Sequence, residues 1–275
     1  MIARGEKNCQ QILTNISKSI AEEPYRTFYQ ERYLYYGLNC FSAEQSKKNQ
    51  LSLGKNLIEV ANLISQKEYL YSTWQGLAHL NSILGFYLDP VYYQAAEEDY
   101  QKLIVINPFI SANYKDLGRM KLWQKEYDQA ISNFDQALTL LPPLDHPKLN
   151  RGHREMVKIE LFNLYQLKGQ ALSYKKDYQL ALNYFEQALK LKPDYPVIYK
   201  DIADVYYQQG DLDKAIFYNL RGLNLNPADY HWWLGLALLY QQKNEKDKAF
   251  EYAKKAQALE PEDPIVKELI RQFNH

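Results

Sequence analysis

Residues 162–195 read FNLYQLKGQALSYKKDYQLALNYFEQALKLKPDY, residues 196–229 read PVIYKDIADVYYQQGDLDKAIFYNLRGLNLNPAD, and residues 230–263 read YHWWLGLALLYQQKNEKDKAFEYAKKAQALEPED. Aligned without a gap, these three 34-residue segments agree at a set of fixed columns. Pro193, Pro227 and Pro261 fall in one column, Ala181, Ala215 and Ala249 in another, and Leu191, Leu225 and Leu259 in a third. Aromatic columns hold Tyr184, Tyr218 and Tyr252, and Tyr165, Tyr199 and Trp233. Small residues recur at Gly169, Ala203 and Ala237, and at Ala188, Gly222 and Ala256. A fixed period of this length marks a repeat array. Each unit is predicted to be a helix A, a tight turn and an antiparallel helix B. Small residues at Gly169 and Ala181 let the two backbones approach, while Tyr165, Leu172, Tyr178 and Phe185 fill the seam. Each closing proline stops helix B, because it has no N–H and clashes with the preceding turn. Gly210, in Gln209-Gly210-Asp211, supplies a left-handed turn. One unit cannot bury its apolar face by itself, so neighbours must stack.

The pattern resembles the tetratricopeptide repeat: an aromatic, a small residue four positions on, a Gly/Asn turn, a small residue, an aromatic and a closing Pro. The resemblance implies an all-α, right-handed α-α superhelix (a TPR solenoid) of about six helix-turn-helix repeats with terminal capping helices. The expected boundaries are an N-terminal cap at 1–24, an aromatic degenerate repeat at 25–66 and a second repeat with a long loop at 67–110. Repeats at 111–144, 145–195, 196–229 and 230–263 follow, with a C-terminal cap at 264–275. The fourth repeat carries a 17-residue insertion, since Pro142 to Pro193 spans 51 positions rather than 34. Prolines 142, 143 and 147 forbid helix before Lys148, and no proline follows until after Lys175. An over-long helix A of about 28 residues, ~42 Å, is predicted there.

Lys plus Arg and Asp plus Glu number 33 each, so no net charge draws the chain to nucleic acid or anionic membrane. Cys9 and Cys40 are too few for a disulfide framework and lack metal spacing, and are read as buried or idle thiols. No apolar run reaches the ~20 residues of a membrane span, and the N-terminus lacks a signal-peptide core, so a cytoplasmic location is expected. There is no glycine-rich phosphate loop. The five histidines form no metal-ligand pair on a helix face, and no local Ser, His and acidic trio stands out. Neither an enzyme nor a cofactor is expected.

What remains is binding of a protein or peptide partner. By the resemblance, helix A positions facing the concave groove place Lys115, Arg119, Trp123, Gln170, Tyr174, Lys200, Asp204 and Tyr207 as candidate groove residues. Trp123, Tyr174 and Tyr207 would act as aromatic platforms. The family's clamp for chaperone C-terminal carboxylates is not expected: Arg119, Leu167, Val197 and Asp201 replace its Asn, Asn, Lys and Arg, and an Asp repels a carboxylate. Lys148, Arg151, Arg154 and Lys158 form a basic stripe on the inserted helix, diluted by Glu155 and Glu160, as a candidate docking ridge for an acidic partner. The layout is also similar to the TPR tail of bacterial O-antigen ligase and polymerase-like membrane proteins, a second reading. A third, an RNA-binding helical repeat, is disfavoured by the neutral charge.

Overall fold

The computed structural model describes Leu13, Gly37, Cys40, 52–60 and 71–273, and every regular element among these residues is an α-helix. The chain divides into two compact units, Met1–Leu140 and Leu141–His275. In the first, α1 (Tyr71–Tyr87) pairs with α2 (Tyr92–Ile106), and α3 (Ser111–Trp123) with α4 (Tyr127–Thr139). In the second, the pairs are α5 (Arg151–Tyr174) with α6 (Tyr178–Leu191), α7 (Pro196–Gln208) with α8 (Leu212–Leu225), and α9 (Tyr230–Gln242) with α10 (Lys246–Leu259). A last helix, α11 (Pro264–Phe273), packs on α10.

The turn inside each of the last three pairs is the same device. Lys176, Gly210 and Asn244, 34 positions apart, hold φ of 70°, 80° and 61°. Lys125 does the same between α3 and α4 at 64°. Around each, two backbone bonds close the preceding helix, as in Asp177 N–H to Leu172 C=O (2.8 Å) and Lys176 N–H to Ser173 C=O (2.9 Å). This is the double-bonded cap that satisfies the last carbonyls of a helix. Lysine and asparagine accept the left-handed backbone here because those two bonds fix the chain, and glycine occupies only one of the four turns.

Packing explains the small-residue columns. A Cβ placed on Gly118 would stand 2.7 Å from the Phe134 ring, and one on Gly169 would stand 2.5 Å from the Phe185 ring. Helix A therefore keeps a notch into which the aromatic of helix B fits. Phe134, Phe162 and Phe185 are fully buried, with alanines 130, 137, 181 and 188 beside them. In the first unit Tyr93, Ala96, Tyr100 and Leu103 of α2 meet Leu117 and Met120 of α3. Lys121 is buried there as well, and donates to Glu97 (2.7 Å) and Glu126 (3.0 Å).

Two expectations change. Helix α5 has 24 residues and begins at Arg151 rather than Lys148, because the Asn150 side chain accepts the His153 N–H at 2.9 Å and caps the helix there. Cys40 is buried and disulfide-bonded rather than a thiol. Sequence spacing does not report the Cα approach that permits such a bond. Cys9, all of the expected cap at 1–24 except Leu13, and nearly all of the aromatic segment at 25–41 lie outside the described residues.

Candidate functional site

In the second unit the helix A faces of α5 and α7 are sealed against each other by polar side chains. Gln166 and Gln170 of α5 both donate to Asp201 of α7, at 2.8 Å to Oδ2 and 3.0 Å to Oδ1. Burial pushes the Asp201 carboxyl up to about 6; the two amide bonds and Lys200 pull the other way, while the Asp204 charge adds to the rise.

One period further on, the same three positions hold Lys200, Asp204 and Gly235. The acceptor that closed the first seam is here a hydrogen atom. Among the described residues no side-chain hydrogen bond joins α7 to α9 there as Gln166 and Gln170 join α5 to α7. A second departure coincides with it. The column that carries the ring Phe185 carries Asn219 in α8, so ring volume is missing from the floor. Together these open a cleft of about 580 Å³ lined by Ala203, Asp204, Tyr207, Asn219, Gly235 and Leu238, with Leu239, Gln241 and Gln242 completing its wall.

The chemistry of the cleft is specific. Asn219 is buried at 8% exposure, yet its amide makes no hydrogen bond to any described residue. The nearest obstruction to that amide would be a side chain on Gly235, whose Cβ would lie 3.0 Å from Asn219 Oδ1. Asp204 is exposed and has no hydrogen bond or ion pair among the described residues. The protein around it raises its carboxyl pKa by desolvation, and Lys200 only partly offsets this. Tyr207 and Leu238 turn 48% and 41% of their surface outward on either side.

Of the residues expected to line a groove, Asp204 and Tyr207 meet in this cleft. Gln170 belongs to the neighbouring sealed seam, and Tyr174 and Lys200 are exposed but do not line the cleft. In the first unit, Arg119 contacts Asp116 (3.1 Å) and donates to His79 Nδ1 (3.3 Å). Burial first, and then the Arg119 charge, lower the His79 pKa, which keeps that nitrogen an acceptor. Trp123 is half-buried, packs 5.0 Å from the Phe86 ring beneath Arg119 and joins the core of that unit, and Lys115 is half-buried on the same helix. Trp123 is thus largely consumed by packing rather than presented as a platform. On α5, Arg151 and Arg154 are exposed and Lys158 half-buried, with the exposed Met156 and Ile159 interrupting the stripe. Lys148 lies in the turn before the helix, because the cap falls at Asn150. Asn219 and Gly235 were missed by reading the sequence: Asn219 shares its column with Phe185 and Ala253, and Gly235 shares its column with Leu167 and Asp201, so neither stands against a common residue type.

Among the described residues no cluster of His, Cys, Asp and Glu is placed to hold a metal, and no helix is long and apolar enough to cross a membrane.

Comparison with known proteins agrees with this geometry. Residues 174–221 match one tetratricopeptide repeat model and residues 231–263 match another. A relative described as "Uncharacterized protein ycf37", from Guillardia theta, is 37% identical over 103 residues, 38% of this chain and 51% of its own length. The chain thus spans about half the length of that relative. Among solved structures, a tetratricopeptide repeat protein from Parabacteroides merdae superposes with a TM-score of 0.63 at 13% identity, over 100% of this chain and 99% of its own. PilW, a type IV pilus biogenesis factor, gives 0.63 at 15% over 80% and 91%, and PilF of Pseudomonas aeruginosa gives 0.56 at 16% over 88% and 97%. At such identities the likeness speaks for the fold. Repeat period, paired helices, left-handed turns and matched models agree: residues 174–221 and 231–263 are tetratricopeptide repeats, in a chain with the fold of tetratricopeptide repeat proteins.

Proposed function

We propose that this protein is a non-catalytic scaffold that takes an extended peptide segment of a partner protein into the cleft between α7 and α9. Tetratricopeptide repeat proteins are generally protein-interaction scaffolds, and the fold is typically non-catalytic. The observation that carries the reading is the Asn219 amide, buried, open to the cleft and without an internal partner. A carboxamide offers one acceptor and two donors, which match the C=O and N–H of an extended backbone without regard to its sequence. The amide opens onto the cleft rather than being sealed from solvent, so a segment that supplies both partners takes the place of water there. The half-exposed Tyr207 and Leu238 add apolar area on either side.

The test uses random linear peptides displayed on phage and selected on the full chain. Selected peptides are synthesised and titrated against wild type, Asn219→Ala and Gly235→Ala. Both variants are expected to weaken binding by about ten-fold or more. Gly235→Ala should do so without loss of thermal stability, because alanine is the better helix former. Peptides that bind both variants as tightly as wild type would remove the cleft from consideration.

A further inference from the structure

Cleft charge narrows what the bound segment carries. The two ends of the α5–α7 seam show what its side chains do when satisfied: two amide donors saturate one carboxylate. In the α7–α9 seam the carboxylate has moved to the other helix, as Asp204, and the facing position is Gly235. Asp204 therefore looks across the opening with no donor opposite it. Gln241 and Gln242, the nearest polar side chains of α9 on the cleft wall, do not bond to it; Gln241 donates instead to Gln272 of α11 at 2.9 Å. Lys200, one helical turn before Asp204, is its nearest cation, yet no ion pair joins them, and Lys200 is not part of the lining. Other lysines near this end of the unit are already committed, Lys214 to Asp211 (3.0 Å) and Lys243 to Asp213 (2.6 Å) and Glu245 (3.1 Å). The lining thus combines apolar walls with one unmatched negative charge at its edge.

We propose that the segment bound between α7 and α9 presents an arginine or lysine, whose methylene stem lies along Tyr207 and Leu238 and whose charged head is held by Asp204. This rests on the peptide-binding reading above and adds the side-chain class to it. Long cationic side chains bury their stems on apolar surface and keep the head at its edge, which is the layout of these walls. The Tyr207 ring is also a favourable neighbour for a cation. A charged hydrogen bond at a partly desolvated carboxylate is stronger than the same bond in open water.

The selected peptides supply the test. Arginine or lysine is expected at one fixed position among them. Replacing that residue by citrulline or norleucine should weaken binding by about ten-fold. Asp204→Lys should abolish the enrichment and Asp204→Glu should preserve it, with circular dichroism melting curves showing both variants folded. Peptides that lack a basic residue but still lose affinity in Gly235→Ala would overturn the charge assignment and leave the cleft as the binding site. Basic peptides that bind Asp204→Lys as tightly as wild type would overturn it as well. Peptides indifferent to Gly235→Ala and Asn219→Ala would overturn the underlying reading, and this one with it.

Discussion

At Asp201 the fold raises the proton affinity of a carboxyl, to about 6 from an ordinary value of 3.8, chiefly through burial. Since the folded form binds the proton more tightly than the unfolded chain, this group stabilises the fold most below the ordinary value. Its contribution falls as pH rises from about 4 to about 6 and is flat above that. The full swing is about 3 kcal/mol at 1.36 kcal/mol per unit. In Asp201→Asn the swing disappears, and the two glutamines can still bond, one of them by turning its amide. Urea denaturation of wild type and variant from pH 4 to 7.5 should show the difference between them growing in favour of Asn across that window. Taking the difference cancels the opposite-signed contribution of carboxyls such as Asp263, whose pKa is lowered mainly by the Val266 N–H. A constant difference across the window would show that Asp201 is not protonated as described. Gly222 makes a second point at this scale. Its column holds alanine at 188 and 256, but a Cβ at 222 would stand 2.2 Å from the buried Trp232 ring. Helix propensity favours Ala by about 1 kcal/mol, and overpacking a buried ring costs about 1–3 kcal/mol. Gly222→Ala is therefore expected to lose up to about 2 kcal/mol in chemical denaturation, and a gain would show that the ring moves aside freely.

Helix α11 shows what a terminal element contributes to a stacked array. Val266 and Leu269 are buried against Leu234 and Ala237 of α9 and Ala253 and Ala256 of α10, while its other face is open. The helix is held at its start by Asp263, which accepts from the Ile265 and Val266 N–H groups at 2.9 Å each and from the Tyr230 hydroxyl at 3.0 Å. The Pro264 start and one-sided apolar pattern made this helix legible in the sequence, because a proline at the first turn and a 3.6-residue period are local signals. The start of α5 was less legible. Pro147 says where a helix is forbidden, but the choice among Lys148, Leu149 and Asn150 was made by a side-chain cap. Leu269→Ala removes one of two buried anchors of α11 and should cost about 3 kcal/mol. Hydrogen exchange should then show α11 and the end of α10 losing protection while α5 and α6 keep theirs, since stacked repeats couple to their neighbours. Uniform loss of protection through residues 151–259 would indicate that the second unit unfolds only as a whole.

Over the whole molecule, what could be read in advance was whatever each repeat does by itself: period, helix pairing, turn position and the buried aromatic and alanine columns. The cleft was not readable in that way, because no repeat contains it. It arises where Asp204, Asn219 and Gly235 come together from three helices, and only Asp204 belongs to a position that faces a groove by rule. Asn219 and Gly235 fall in columns with no common residue type, Phe185, Asn219 and Ala253 in one and Leu167, Asp201 and Gly235 in the other. Their meaning depends on lying opposite one another, and the 34-residue alignment shows this only once the stacking of α7, α8 and α9 is known. Charge behaves the other way and is legible at once. With 33 basic and 33 acidic side chains the chain carries no net charge. The basic residues of α5 are diluted by Glu155 and Glu160, so that helix offers phosphate polymers no extended cationic track. The protein should pass through heparin or immobilised RNA unretained at about 50 mM salt, whereas a surface making 6–10 phosphate contacts would be held there and released only as salt rises. Retention at low salt with a steep salt dependence would mean that α5 gathers enough local charge to act against the neutral average. In that event Arg151→Glu with Arg154→Glu should abolish it.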